Sequence, residues 1–299
     1  MPHKSEHIRA NSTTANLRTA FVLNLIFAIL EVIGGLLTNS VAILSDAVHD
    51  LGDSLSLGLA WNLDRIAQRN GDAQFSYGYR RFSLLGAIIS TIILIIGSII
   101  ILVEAIPRLL DPEPTNAKGM IVFAVIGVVV NGVAALRLRG EKSHNARAIA
   151  WHLIEDVLGW VSVLAVSIIL LFTDFYILDP LLSIVITIFI LFNVLKNFKQ
   201  TLVVFLQAVP EDVDVVSINE QLTEIEHVCS THHTHVWSLD GEHHVLTSHL
   251  VVDEGTSKES IVRIRKDVLS LVRELEFAHS TIEIEFGEDD CGVTMDGCM

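Results

Sequence analysis

Four residues of this chain have the types and spacing to hold a metal ion in apolar surroundings. His49 and Asp53 lie within LSDAVHDLGDS (residues 44–54), and His152 and Asp156 repeat the His-x-x-x-Asp spacing in HLIED. On a helix, residues four apart stack on one face, about 5–6 Å apart at Cβ, so each pair can donate to a single ion. Two such pairs supply two neutral nitrogens and two carboxylates. That set suits tetrahedral Zn²⁺, whose charge the carboxylates offset, whereas Mg²⁺ or Ca²⁺ would call for more oxygen ligands. The blander alternative is that all four are polar packing groups, hydrogen-bonded across a helix bundle. Either way they need polar company, because a charged side chain at the bilayer centre costs about 2.5–3.5 kcal/mol even on the lower scale. Asp46 shares the face of His49 and reads as a cavity group. Asp50 is turned about 100° away and reads as wetted or paired. Glu31, Glu155, Asn24 and Asn131 are structural or pathway residues with no ligand role.

These pairs are carried by long apolar segments. The chain has 299 residues, 51% hydrophobic and 18% charged, with several apolar runs near the length that crosses a bilayer, so it reads as a multi-span membrane protein. Candidate spans cover Leu17–Thr38, Ser40–Leu63, Phe82–Ile106, Gly119–Leu136, Ala148–Phe172 and Ile177–Leu195, the last reaching toward Leu206. Met1–Asn16 lacks the layout of a cleaved signal peptide, so the first run is expected to be retained. The second-to-third linker holds Arg65, Arg69, Arg80 and Arg81, and the fourth-to-fifth holds Arg137, Arg139, Lys142 and Arg147. The opposite loops offer only Arg108 and Lys118. The positive-inside rule then puts both termini in the cytoplasm, and the short linkers suit a bacterial inner membrane.

The net charge of −15 belongs to the last third. Residues 1–209 carry 15 acidic and 15 basic side chains, and residues 210–299 carry 20 acidic and five basic ones. That balance argues against nucleic acid and for cations as partners. From residue 210 the hydrophobic period changes. Asp212–Glu226 reads as an amphipathic helix, Val228–Leu239 as a strand, Asp240-Gly241 as a turn, His244–Val252 as a second strand, Thr256–Glu276 as a helix and Ser280–Phe286 as a strand. The expected class is thus an all-α six-helix transmembrane domain followed by a small cytoplasmic α+β domain of order αββαβ. The expected boundaries are 1–16 for a cytoplasmic tail, 17–209 for the six-span membrane domain and 210–299 for the cytoplasmic domain.

Eight of the 13 histidines fall between His227 and His279. His232, His233 and His235 share one strand, His249 lies on its hairpin partner, and Glu283 and Glu285 on the last strand. The pattern puts His232 and Glu285 on adjacent strand ends. Cys229, Cys291 and Cys298 are too few for a disulfide framework and fit a reducing compartment; the last two either join a metal site or are inert thiols.

The motifs NSVAILSDAVHDLGDSLSLGLAW, FSYGYRRFSLLGA, HLIED, LDPLLSIVIT, THHTHVWSL and STIEIEF, in that order, resemble the cation diffusion facilitator family of zinc transporters, of the bacterial zinc, cadmium and cobalt efflux type. The resemblance implies a homodimer in the lipid bilayer whose ferredoxin-like cytoplasmic domains bind metal and whose six-span protomers export zinc against inward proton flow. It places the transport site on His49, Asp53, His152 and Asp156, and cytoplasmic metal ligands on His232, His249 and Glu285. Zn²⁺ is the implied cargo and regulatory ligand, with Cd²⁺ or Co²⁺ as further cargo. It also implies a secondary antiporter rather than an enzyme. An intramembrane zinc protease would need a His-Glu-x-x-His helix, and the chain has none. A membrane-bound metal sensor without transport is the remaining alternative.

Overall fold

The computed structural model describes residues 3–138 and 144–287, with side chains described for 21–59, 62–63, 66–136 and 153–287. The chain forms two compact units, Met1–Ile66 with Leu85–Phe198, and Ala67–Leu84 with Lys199–Met299.

The first unit is built on six long helices: α1 (His3–Thr38), α2 (Val41–Ala67), α3 (Phe82–Leu110), α4 (Ala117–Leu138), α5 (His144–Phe172) and α6 (Leu178–Phe205). Helix α1 begins well before the apolar run, so the expected tail is helical from His3. Five of these helices contain a stretch long and apolar enough to cross a membrane. Helix α2 is the exception because Asp46, His49, Asp50 and Asp53 interrupt its apolar face. Many of the large apolar side chains on α3, α4 and α6 are exposed, including Ile100, Val103, Val122, Val185 and Phe192, as helices facing lipid require.

A turn of only two residues joins α1 to α2. Asn39 takes a positive φ of 54°, a conformation that asparagine tolerates better than most side chains. Its side-chain amide donates to Glu113 Oε2 (3.0 Å), and its backbone oxygen accepts from Arg108 (3.2 Å). Helix α2 is then capped by a residue far away in sequence. Ser40 Oγ donates to Asp179 Oδ1 (2.5 Å) and Val41 N–H to Asp179 Oδ2 (2.7 Å), all of them fully buried. An anion at a helix N-terminus satisfies orphan donors and favours the dipole. One turn on, Ser45 Oγ meets Ser183 Oγ (2.6 Å) and Thr187 Oγ1 (3.1 Å), so α2 and α6 are joined by a seam of polar groups.

The second unit holds α7 (Val215–Thr223), β1 (Val228–Ser238), β2 (His244–Val252), α8 (Lys258–Glu274) and β3 (His279–Phe286). The expected αββαβ order is present, with both helices shorter than the periodicity suggests. Asp214 accepts from the N–H groups of Val216 and Ser217, and Ser257 from that of Ser260, so capping starts α7 and α8 later than pattern alone indicates. Strand β2 is central, antiparallel to β1 and parallel to β3. Leu246, Leu250 and Val252 of β2, Ile218 and Leu222 of α7, and Ile264, Val268 and Val272 of α8 form the core. Each such side chain contributes about 1.5–3 kcal/mol by leaving water.

The α2–α3 connection belongs to this unit. Asp72 Oδ1 accepts from the N–H groups of Gln74 and Phe75 (2.8 Å each) and Oδ2 from Tyr79 Oη–H (2.6 Å). The Tyr77 ring meets Trp237 and His279 edge-on, and Arg80 reaches His243 and Asp240 at the β1–β2 turn.

Candidate metal centre

Within the helical unit a cavity of about 1020 Å³ opens between α2, α3, α5 and α6. His49, Asp53 and Asp156 all line it, with Asp46 and Glu155. His49 Nε2 and Asp53 Oδ2 are 3.6 Å apart, with the two side chains 21% and 26% exposed. Two ligands bound about 2.05 Å from a tetrahedral ion lie about 3.3 Å apart, so this pair needs only a small rotamer adjustment to share one ion. His152 stands on α5 one turn before Asp156; its side chain lies outside the described residues.

The local sequence explains how α2 presents the pair. The helix is narrowed at Gly52, where a Cβ would stand 2.1 Å from Leu94 Cδ2, so α3 packs closely against α2 next to Asp53, and Leu94 itself lines the cavity. Leu94 joins Ile190 and Val194 in an apolar cluster beside the cavity. Along α6 the cavity lining runs from Leu182 to Asn197 and includes Lys196. The α2–α6 seam of Ser40, Ser45, Asp179 and Ser183 is 0–2% exposed and none of these four lines the cavity.

Asp46 lines the cavity, as its place on the His49 face implies. Asp50 is 7% exposed and is not wetted by the cavity. It points to the α1 side, where Asn24 Nδ2 donates to the Asp50 backbone oxygen and to Ser54 Oγ (3.1 Å each) and where Glu31 faces its carboxylate.

A second cluster lies on the sheet face away from α7 and α8. Glu285 Oε2 is 2.7 Å from His232 Nε2, and Glu285 Oε1 is 2.6 Å from His249 Nδ1. The three can offer one donor atom each within 4.8 Å of one another. Burial pushes the Glu285 carboxyl up, but the hydrogen bonds from His249 and His232, aided by their charge, outweigh it and hold the group below the usual carboxylate range. The topology corrects the expectation that His232 and Glu285 lie on adjacent strands. Strand β2 lies between β1 and β3, with His232 opposite His249 and His249 opposite Glu283. The carboxylate of Glu285 therefore sits between two histidines rather than beside one.

Pattern does not single out His233 as a ligand, since strict alternation turns it away from His232. Strand β1 breaks register between His232 and His235, and His233 takes a φ of 48°. Its ring then lies 5.0 Å from that of His232 and 5.2 Å from that of His249. Such a bulge re-aims a side chain, and no sequence periodicity signals it. Cys229 is exposed on β1 and donates to Asp253, which raises its thiol above the ordinary range. Cys291 and Cys298 lie outside the described residues.

Residues 17–206 match the family described as the cation efflux transmembrane domain, and residues 210–286 match the cation efflux protein cytoplasmic domain. The chain belongs to the cation diffusion facilitator, or cation efflux, family. The zinc transporter ZitB of Pectobacterium atrosepticum is 33% identical over 97% of this chain and 91% of its own length. The cadmium, cobalt and zinc/H⁺-K⁺ antiporter of Bacillus subtilis is 32% identical over 90% of the chain and 88% of its length. The metal cation efflux system protein CzcD of Cupriavidus metallidurans is 33% identical, with 95% and 89% covered. As a family member, the chain pairs a helical membrane domain with a small α+β domain of the cytoplasmic type.

Proposed function

We propose that the protein exports divalent transition-metal cations, chiefly Zn²⁺, from the cytoplasm in exchange for protons, by alternating access at His49, Asp53, His152 and Asp156. The observation that carries this reading is the cavity inside the helix bundle, lined by His49, Asp53 and Asp156, in a family whose relatives are named zinc, cadmium and cobalt transporters. Imidazole nitrogens and carboxylates accept either a metal ion or a proton on the same lone pairs, so loading with one displaces the other. On the acidic side the site protonates and releases metal; on the cytoplasmic side it deprotonates and reloads. Positive-inside orientation makes the Lys196–Asn197 end of the cavity the cytoplasmic mouth and the α2–α6 seam the closed outer end. The protein works as a homodimer in the cell inner membrane with both termini cytoplasmic, its domains running 1–16, 17–209 and 210–299.

The His232–His249–Glu285 cluster fits a second role. Two imidazoles and a carboxylate already converge there, and a Zn²⁺ taking the place of their bridging protons would stiffen an acidic domain and draw two copies together.

Zn²⁺ uptake into proteoliposomes under an imposed pH gradient tests the transport reading. The wild type should accumulate Zn²⁺, and His49→Ala combined with Asp53→Ala should abolish accumulation. Unaltered uptake by that variant would refute the site, and a wild type that binds Zn²⁺ without moving it would favour the sensor alternative.

A further inference from the structure

A closed zinc site takes four donors, and the cytoplasmic cluster has three whose atoms already converge: His232, His249 and Glu285. His233 is the side chain placed to be the fourth. It is buried, whereas its neighbour His235 is exposed. It reaches the cluster only because β1 breaks register between His232 and His235 and because its own φ is 48°. A residue other than glycine rarely adopts that backbone, and such positions gather at ligand clamps.

Ring spacing decides between His233 and the other candidates. An imidazole nitrogen about 2.05 Å from Zn²⁺ puts its ring centroid about 3.2 Å from the ion, so two imidazoles on one tetrahedral ion have centroids about 5.2 Å apart. The centroids of His232 and His233 are 5.0 Å apart, those of His233 and His249 5.2 Å, and those of His232 and His249 5.3 Å. All three edges of the triangle fit one ion. Glu285, with an oxygen 2.7 Å from His232 Nε2 and the other 2.6 Å from His249 Nδ1, supplies the remaining corner. The His233 nitrogens are not among the donor atoms that already converge, so binding calls for a turn of the ring into place. His235 fits less well, with its centroid 6.4 Å from that of His233. Glu283 Oε2 is 3.6 Å from His249 Nε2, but His249 turns Nδ1 toward Glu285, so Glu283 stands by the nitrogen that the ion does not use. There it can fix the ring, as carboxylates behind zinc-bound histidines do.

We propose that His233 is the fourth ligand of a closed site of three histidines and one glutamate, which retains its Zn²⁺ instead of leaving a position open for exchange. The inference rests on the metal-binding role proposed above for this cluster. With three protein ligands the ion would keep a position for water or an incoming ligand; with His233 it keeps none.

The test uses the full chain in detergent with the transport site silenced by His49→Ala and Asp53→Ala. In that parent, His233→Asn removes the imidazole while asparagine still accepts the positive φ. Zn²⁺ affinity should fall by on the order of 100-fold, since even the outer partners of zinc ligands are worth about 10–100-fold, and release to a chelator should quicken. His235→Asn should change neither. Azide needs an open position, so it should alter the visible spectrum of the Co²⁺-loaded His233→Asn variant and leave that of the parent unchanged. X-ray absorption of the Zn²⁺-loaded parent should count three imidazoles, a measurement that does not depend on the variant folding. Parent-like Zn²⁺ affinity in His233→Asn, azide binding by the Co²⁺-loaded parent, or two imidazoles in the Zn²⁺-loaded parent overturns the role of His233 alone. A parent that binds no Zn²⁺ overturns the metal-binding role of the cluster itself.

Discussion

Asp179 is the residue on which the placement of α2, and with it His49 and Asp53, most directly depends. Replacing it with alanine leaves the Ser40 hydroxyl and the Val41 N–H, both fully buried, with no acceptor in place of bonds of 2.5 and 2.7 Å. Each orphaned buried donor costs about 1–3 kcal/mol, which gives about 4 kcal/mol for the pair. Removing the carboxylate also ends the cost of burying it, and that relief trims the loss without reversing it, because the orphaned groups stay in place. For a unit of this size 1 kcal/mol corresponds to about 2–4 °C, so the unfolding midpoint of Asp179→Ala should fall by roughly 10 °C. Asp179→Asn keeps one oxygen acceptor but turns an N–H toward a donor, and should fall between the two. Detergent-solubilised protein, heated and scored for the monodisperse fraction by size exclusion, measures this. Because His49 lies eight residues beyond Val41, about 12 Å along the helix, a frayed start to α2 should also weaken Zn²⁺ transport. An Asp179→Ala midpoint within about 2 °C of the wild type would show that the buried cap does not hold α2, and the reasoning would fail.

Two further outcomes follow from the second unit. With the transport site silenced by His49→Ala and Asp53→Ala, His249→Ala should lower the remaining Zn²⁺ affinity by on the order of 100-fold or more, since even the outer partners of zinc ligands are worth 10–100-fold; calorimetry reads this, and unchanged affinity would leave the cluster an ordinary hydrogen-bond network. In the α2–α3 connection, Asp72 is held below the usual carboxylate range by the Tyr79 hydroxyl and by the N–H groups of Phe75 and Gln74. A depressed folded value means that its contribution is fully present above the ordinary aspartate range, near pH 4, and is lost as pH falls through the lower folded value. Hydrogen exchange of residues 72–79, corrected for intrinsic rates, should therefore rise on acidification and in Asp72→Asn at neutral pH; exchange independent of both would contradict it.

Much of this protein is determined by sequence alone, for a local reason. Apolar runs of bilayer length, the change of period after residue 209 and the His-x-x-x-Asp spacing are properties of neighbouring residues, and helical geometry converts them directly into spans and same-face pairs. That is why the four-residue spacing suffices to pair His49 with Asp53, and why the strand His244–Val252 is legible to the residue. Groups joined across the chain are not legible in this way. Asp179 caps a helix that starts 138 residues earlier, Glu31 meets Asp50 from another helix, and the central place of β2 puts Glu285 between two histidines. The turn of His233 toward that cluster depends on a bulge that no periodicity encodes. Composition and period fix which face of an element is polar. Only packing decides which distant polar groups must satisfy, or fail to satisfy, one another once water is excluded.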